Sequence, residues 1–128
     1  MRAWRALYTL SALAGVAGCA AVTTAGGERL ALGSADFRTY VERVFREQNR
    51  VASDLGFALE DGDGADPTLA AAEDRLLADC AGVNELATLR RDDQQPGLKR
   101  GAAAARTVPR CEQATLEARA ALDRHSGQ

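Results

Sequence analysis

The residue types in this chain that could do chemistry are three cysteines, one histidine and a short run of aspartates. Ser–His and Cys–His nucleophiles, like histidine-based zinc sites, need a histidine that the fold holds in place. The single histidine, His125, falls in residues 125–128, which we predict to be a frayed tail. We interpret Glu73 as a surface charge rather than a catalytic base, and the sequence holds no glycine motif for binding phosphate. The sequence therefore predicts a protein that is not an enzyme and has no cofactor.

The acidic run is a candidate metal site. Asp61, Asp63 and Asp66 supply oxygen donors separated by small residues, and Ca²⁺ prefers oxygen ligands. The run departs from the EF-hand pattern, because Ala65 stands at a donor position and Ala72 stands where a glutamate closes the loop. The preferred interpretation is a polar connection between two helices with no metal, and the three aspartates remain the candidate ligands.

The first part of the chain has the layout of an export signal. Arg2 and Arg5 form a short positive segment, and an apolar stretch of about a dozen residues follows at positions 6–16. This stretch is shorter than the roughly 20 residues that a membrane-spanning helix needs. We therefore expect a cleaved signal rather than a retained transmembrane anchor.

The segment Val16-Ala17-Gly18-Cys19 resembles the lipobox of bacterial lipoproteins, which is usually Leu-(Ala/Ser)-(Gly/Ala)-Cys, with valine in place of leucine. The resemblance implies cleavage just before Cys19 and acylation of its sulfur and its new amino group. Two or three acyl chains anchor a protein stably, since each buried CH₂ contributes about 0.8 kcal/mol. In this family an aspartate after the cysteine retains the protein in the inner membrane, so Ala20 favours the outer membrane, facing the periplasm. The alternative is an ordinary signal peptide with an incidental cysteine.

The two remaining cysteines, Cys80 and Cys111, would lie in an oxidising compartment if the resemblance holds. We predict that they form a disulfide. It would close a loop of about thirty residues and stabilise a small domain by roughly 3–4 kcal/mol. Two free buried thiols, or a redox pair, are the alternatives.

Length and charge limit the size of the domain and its partners. The 128 residues suffice for one domain. The formal net charge is −2, and without Arg2 and Arg5 it becomes −4, because 14 basic residues then stand against 18 acidic ones. A mildly acidic chain gains nothing from neutralising phosphates, so nucleic acid is not an expected partner.

Two long amphipathic helices are predicted from apolar residues that recur at spacings of three and four. The first covers about residues 35–60, with Ser34 as its N-cap. The second starts at Asp66-Pro67, an N-cap followed by proline at the first helical position, and ends near Arg91.

A third helical region begins near Leu98 and contains Pro109. Proline removes one helical hydrogen bond and disfavours helix at the preceding residue, so we expect a kink or a restart near Thr107. No segment alternates polar and apolar residues, so we expect no sheet. The predicted fold is all-α: a small three-helix up-down-up bundle in which the disulfide joins the second and third helices.

The predicted organisation has four parts. Residues 1–18 are the lipoprotein signal peptide, and residues 19–33, rich in glycine and threonine, contain the lipidated cysteine and a flexible tether. Residues 34–124 form the helical domain, and residues 125–128 fray.

Two amides lie on or beside the predicted apolar faces, Gln48 on the first helix and Asn84 on the second. One possibility is that they pair across the bundle and fix its register, as buried polar residues do in some helical assemblies. A second is that they mark a face that stays open until a partner binds. The interpretation that we prefer is that the two amides are satisfied locally, without a role in register or binding.

Six basic residues lie at or near the second predicted loop: Arg90, Arg91, Lys99, Arg100, Arg106 and Arg110. They would suit anionic lipid headgroups or another envelope protein. Positive charge at a helix C-terminus also complements the helix dipole, and we prefer this interpretation together with solubility.

The sequence thus predicts a non-enzymatic helical lipoprotein that acts as an accessory or scaffold and presents a helix face to another envelope component. Its membrane partner would be the lipid through acylated Cys19. The alternative is a small binding module, either for Ca²⁺ through Asp61–Asp66 or for an apolar molecule between the helices.

Overall fold

The computed structural model describes residues 20–61 and 66–127 of the chain. In sequence order its elements are β1 (Ala21–Thr23), β2 (Arg29–Ala31), α1 (Ala35–Asp61), α2 (Pro67–Arg91), α3 (Leu98–Arg106) and α4 (Val108–Ser126). The predominance of helix agrees with the sequence prediction. The predicted signal peptide, Cys19 and Asp63 lie outside the described residues. Within the described ranges no helix has the length and apolar character needed to cross a membrane.

The hairpin of β1 and β2 contradicts the prediction that residues 20–33 form a flexible tether and that the fold contains no sheet. The strands are antiparallel, and Val22 pairs with Leu30 at the centre of the ladder. Both side chains are buried and belong to the hydrophobic core. Because each strand has only three residues and buries only its central one, no period-two pattern was visible in the sequence.

The turn of the hairpin depends on Gly27, whose φ is +86°. A residue with a Cβ is strained at this angle, whereas glycine adopts it freely. Thr24 closes the turn, because its hydroxyl accepts a hydrogen bond from the Glu28 N–H at 3.1 Å. The glycines of this segment therefore serve an ordered turn rather than a flexible linker.

The capping residues define the starts of α1 and α2 as predicted. The Ser34 hydroxyl accepts a hydrogen bond from the Phe37 N–H at 3.0 Å. Asp66 accepts from the N–H groups of Thr68 at 2.8 Å and Leu69 at 3.4 Å, with a proline in the first turn of α2. These bonds satisfy backbone donors that have no partner within the helix.

The predicted break in the third helical region is confirmed, because α3 ends at Arg106 and α4 begins at Val108. Pro109 lies in the first turn of α4, where its missing N–H costs no helical hydrogen bond. Helix α4 then continues to Ser126, past the predicted end at residue 124. The expected fraying from residue 125 is therefore wrong for the described part of the tail.

The core lies between α1, α2 and α4, which pack against one another. Its largest fully buried side chains are Val51, Leu55, Leu69, Leu76, Val83 and Val108, together with Cys80 and Cys111. The predicted disulfide between these two cysteines is present and joins α2 to α4, with their Cα atoms 4.5 Å apart. Helix α3 packs on α2. At this contact Gly82 faces Thr107 so closely that a Cβ at position 82 would collide with the threonine side chain.

Candidate functional site

A buried carboxylate, Glu112, connects three elements of the fold. Glu112 lies near the start of α4 and is only 8% exposed to solvent. One carboxylate oxygen, Oε2, accepts hydrogen bonds from the Ala25 N–H in the hairpin turn at 2.7 Å and from the Tyr40 hydroxyl on α1 at 2.8 Å. The other, Oε1, forms a 3.0 Å ion pair with Arg43 on α1. We call these four residues the Glu112 cluster.

The electrostatics of the Glu112 cluster favour the ionised carboxylate. Burial acts to raise the pKa of Glu112. The hydrogen bonds from Ala25, Tyr40 and Arg43, together with the charge of Arg43, outweigh burial and hold this pKa below its ordinary value. Burial, and then the hydrogen bond to Glu112, raise the pKa of Tyr40. The Arg43 guanidinium also lies over the Tyr40 ring, 5.3 Å from its centroid. The chemistry of the cluster is therefore that of a fixed anion that orients its donors.

The Glu112 cluster was not predicted from the sequence. A signal was present, since Glu112 is four residues after Val108 and three before Thr115, two residues on the predicted apolar face. A charged side chain at this position of the helix is buried together with the apolar face, and a buried charge needs hydrogen-bonding or oppositely charged partners. Those partners were not identifiable from the sequence, because Tyr40 and Ala25 are 72 and 87 residues away.

Two of the three candidate ligands of the acidic run, Asp61 and Asp66, lie within the described residues. Asp66 uses Oδ1 to cap α2 and places Oδ2 3.1 Å from Nδ1 of His125. The backbone hydrogen bond from Thr68 is the largest cause of a lowered pKa at Asp66. Asp61 is exposed in the last turn of α1. Residues 20–61 and 66–127 contain no group of three acidic, histidine or cysteine side chains that could hold a metal ion.

His125 was expected in a frayed tail, yet it contacts the cap of another helix. Its ring lies in α4 beside Asp66, so the end of α4 meets the start of α2. The structure thus places both residues at a contact between two helix ends.

Of the possibilities left open for the two amides, the structure shows the pairing across the bundle. Gln48 donates a 2.8 Å hydrogen bond from Nε2 to Oδ1 of Asn84. Gln48 is only 3% exposed, in the middle of the buried face of α1. A buried amide without a partner would be costly, so this pair favours one register of α1 on α2.

Four of the six basic residues near the second predicted loop contact carboxylates. Four such pairs are seen: Arg90–Glu42 at 3.4 Å, Arg91–Asp92 at 3.1 Å, Arg110–Asp79 at 3.9 Å, and Arg100–Glu85. Arg90 and Arg91 occupy the last turn of α2, where positive charge complements the helix dipole.

A groove of about 420 Å³ lies between α1, α2 and the connection from α2 to α3. Its wall is apolar and consists of Phe37, Val41, Phe45, Leu86 and Ala87. The groove is also lined by Pro96 and by charged and polar residues, among them Arg38, Asp93, Gln94 and Gln95. The groove has open space for a ligand. In the Glu112 cluster and the amide pair, by contrast, the polar side chains already bind one another or the backbone.

The Glu112 cluster orders the hairpin, the amide pair sets the register of α1 and α2, and the groove offers an apolar wall. No protein-family model matches this chain, and neither a curated protein nor a solved structure is significantly similar to it.

Proposed function

We propose that this protein is a lipid-anchored helical domain of the bacterial cell envelope that acts as a non-enzymatic accessory or scaffold. The single observation that carries the proposal furthest is the buried Cys80–Cys111 disulfide. Structural disulfides persist in oxidising compartments such as the periplasm. The pairing leaves Cys19, at the end of the lipobox-like segment, as the remaining cysteine of the chain.

The proposed anchor would join the folded domain without an intervening tether. The residue after the lipobox, Ala20, is already part of the folded domain, because its carbonyl accepts a 2.7 Å hydrogen bond from the Leu32 N–H. A lipid on Cys19 would therefore be attached directly to an ordered hairpin. With alanine rather than aspartate at position 20, we propose the outer membrane, with the domain facing the periplasm.

For the helical domain we propose an up-down-up arrangement of α1, α2 and α4. Pairs between successive long helices run in opposite order: Glu42–Arg90 and Gln48–Asn84 between α1 and α2, and Arg75–Glu117 and Cys80–Cys111 between α2 and α4. Each of these helices also exposes one large apolar side chain, namely Phe57, Leu77 and Leu116. Such a bundle would present a helix face to another envelope component.

Intact-mass spectrometry of the protein isolated from membranes tests the anchor. We expect a chain that begins at Cys19 and carries the added mass of its acyl chains, together with the Cys80–Cys111 bond. Cys19→Ala should abolish the acyl mass and release the protein from the membrane fraction. Ala21→Ser, which leaves the lipobox intact, is the matched control and should be acylated normally. A Cys19→Ala protein that stays membrane-bound with its first residues retained would contradict the proposal.

Photocrosslinking in cells tests the scaffold role. A photoreactive residue replacing Leu77, Leu116 or Phe57 should give one discrete crosslinked product from at least one helix. The same residue at Arg46, an exposed charged position on α1, is the control. Monomer at all three apolar positions under several growth conditions would contradict a scaffold role.

The groove supports a second candidate function, the binding of a small apolar molecule. Its volume of about 420 Å³ is within the range of small-molecule sites, and its wall is apolar. Ala87→Trp would fill it, whereas Leu77→Trp on the same helix leaves it open. An apolar fluorescent probe should bind the wild type and Leu77→Trp but not Ala87→Trp. Equal probe binding by all three proteins would contradict a ligand in the groove.

A further inference from the structure

We infer that the outer surface of α3 is a contact surface for anionic phospholipid headgroups, an inference that rests on the proposed lipid anchor. The surface, here the α3 surface, consists of Leu98, Lys99, Ala103 and Arg106, all of which are exposed. Lys99, Ala103 and Arg106 recur at spacings of four and three, so they share one side of the helix. The contact would hold the anchored domain in one orientation on its bilayer.

The distribution of charge along the chain supports this contact. Residues 89–110 contain six basic and two acidic side chains, a net charge of +4, whereas residues 47–88 contain two basic and ten acidic ones, a net charge of −8. An anionic surface attracts the first segment and repels the second, so it orients the domain as well as binding it. Four of the six bases in the first segment face carboxylates, which balance part of this charge, in the pairs Arg90–Glu42, Arg91–Asp92, Arg100–Glu85 and Arg110–Asp79.

Leu98 supplies an apolar side chain beside these charges. It is 94% exposed, more than Phe57, Leu77 or Leu116. Peripheral membrane segments combine basic side chains, which meet the phosphates, with apolar ones that enter the boundary with the acyl chains. Leu98 next to Lys99 has this composition, and insertion would remove the leucine from water.

The α3 surface is at the same end of the domain as the proposed anchor. Ala20 is hydrogen-bonded to Leu32, which is two residues before the N-cap Ser34 of α1. In the first turn of α1, Phe37 lines the same groove as Pro96, which is two residues before α3 begins. A hydrogen bond and a short stretch of chain thus connect Ala20 to the start of α1. The shared groove in turn connects the start of α1 to the residues just before α3.

A single-tryptophan reporter tests the contact on the full acylated protein. The only tryptophan of the chain is Trp4, within the proposed signal peptide, so cleavage leaves a chain without tryptophan. Leu98→Trp places a reporter on the α3 surface, and Leu116→Trp on α4 is the matched control. Each protein is purified from membranes and reconstituted into vesicles of brominated phosphatidylcholine, with or without phosphatidylglycerol. Vesicle flotation and tryptophan quenching are measured on the same samples.

We expect phosphatidylglycerol to increase the quenching of Leu98→Trp by the brominated acyl chains and to leave Leu116→Trp unchanged. Lys99→Ala and Arg106→Ala, added to Leu98→Trp, should each lower the ratio of surface-bound to detached α3 by about fivefold. Arg46→Ala and Arg50→Ala on α1 change the net charge equally and should have no such effect.

Two results would overturn the inference in distinguishable ways. Equal quenching of Leu98→Trp and Leu116→Trp in vesicle-bound protein would show that the anchor is present and that α3 does not touch the bilayer. Failure of the protein to float with pure phosphatidylcholine vesicles would contradict the anchor itself, and the orientation inferred from it would fall as well.

Discussion

The backbone N–H of Ala25 donates a 2.7 Å hydrogen bond to the side chain of Glu112, 87 residues further along the chain. Through this bond the hairpin turn is attached to α4, and Tyr40 and Arg43 attach the same carboxylate to α1. The hairpin is thereby part of the domain, although it follows directly on the proposed lipid anchor.

Glu112→Gln should destabilise the fold by about 1–3 kcal/mol, because it removes the charge that Arg43 pairs with and offers Ala25 and Tyr40 a weaker acceptor. Urea unfolding measures the change. The control is Glu117→Gln on the same helix, whose ion pair with Arg75 is exposed and contributes about 0–1 kcal/mol. Equal losses in the two variants would contradict a structural role for the Glu112 cluster.

Acidification should remove the contribution of Glu112. Its hydrogen bonds outweigh the effect of burial and hold its pKa below the ordinary value of 4.5. A carboxyl group with a lowered pKa in the fold stabilises it above the unfolded pKa and loses this effect as the pH falls through the folded pKa. The difference in unfolding free energy between wild type and Glu112→Gln should be constant near neutral pH and shrink below pH 4.5. A difference that does not depend on pH would contradict this assignment.

The two helical glycines Gly82 and Gly56 should respond in opposite ways to alanine. A Cβ at Gly82 would meet the Cβ of Thr107 at 3.3 Å and the Ala104 carbonyl at 3.4 Å, in addition to the threonine hydroxyl. We expect Gly82→Ala to cost about 1–3 kcal/mol. Gly56→Ala meets nothing within 4 Å and should stabilise α1 by up to about 1 kcal/mol. Thermal unfolding of the two variants should therefore shift the Tm in opposite directions, and a shared sign would contradict the close contact of α2 with Thr107.

Removal of the disulfide should leave a folded but weaker domain. With a sequence separation of 31 residues, the double variant Cys80→Ala, Cys111→Ala should lose roughly 3–4 kcal/mol of unfolding free energy. Wild type treated with a reductant provides the comparison, because it loses the bond and keeps the sulfur atoms. A loss in the reduced protein below about 1 kcal/mol would show that the bond contributes little to stability.

Calcium should not stabilise the protein. Asp66 already caps α2 and contacts His125, so its oxygens are engaged by the fold. We expect no change in Tm on titration to millimolar Ca²⁺. Asp66→Ala should lower the Tm through loss of the cap, and Asp61→Ala, at an exposed position, should not. A Ca²⁺-dependent rise in Tm that Asp63→Ala abolishes would restore the acidic run as a metal site.

The sequence was sufficient for features that depend on neighbours along the chain. The N-caps at Ser34 and Asp66 and the restart around Pro109 each follow from a local rule about backbone hydrogen bonds. The pairing of Gln48 with Asn84 could be raised only as one possibility, because each amide interrupts or borders a regular apolar face but neither identifies its partner.

Features that depend on distant partners were not accessible in the same way. Strands of three residues carry no detectable period, so the hairpin was taken for a tether. The role of Glu112 requires that the hairpin turn be placed beside α4, and no local pattern indicates this contact. His125 likewise acquires its partner, Asp66, only through the packing of α4 on α2.

The disulfide closes a loop that contains only the region from Cys80 to Cys111. The hairpin and α1 lie outside this loop and are not cross-linked to the rest of the domain by it. They are held to the rest of the domain by side-chain contacts such as those of Glu112 and of Arg119, which pairs with Glu47 and Asp54. A mechanical pull applied from the membrane end would load these contacts before it reached the sulfur–sulfur bond. The hairpin and α1 would then peel away first and leave the cross-linked α2–α4 pair as the last part to unravel.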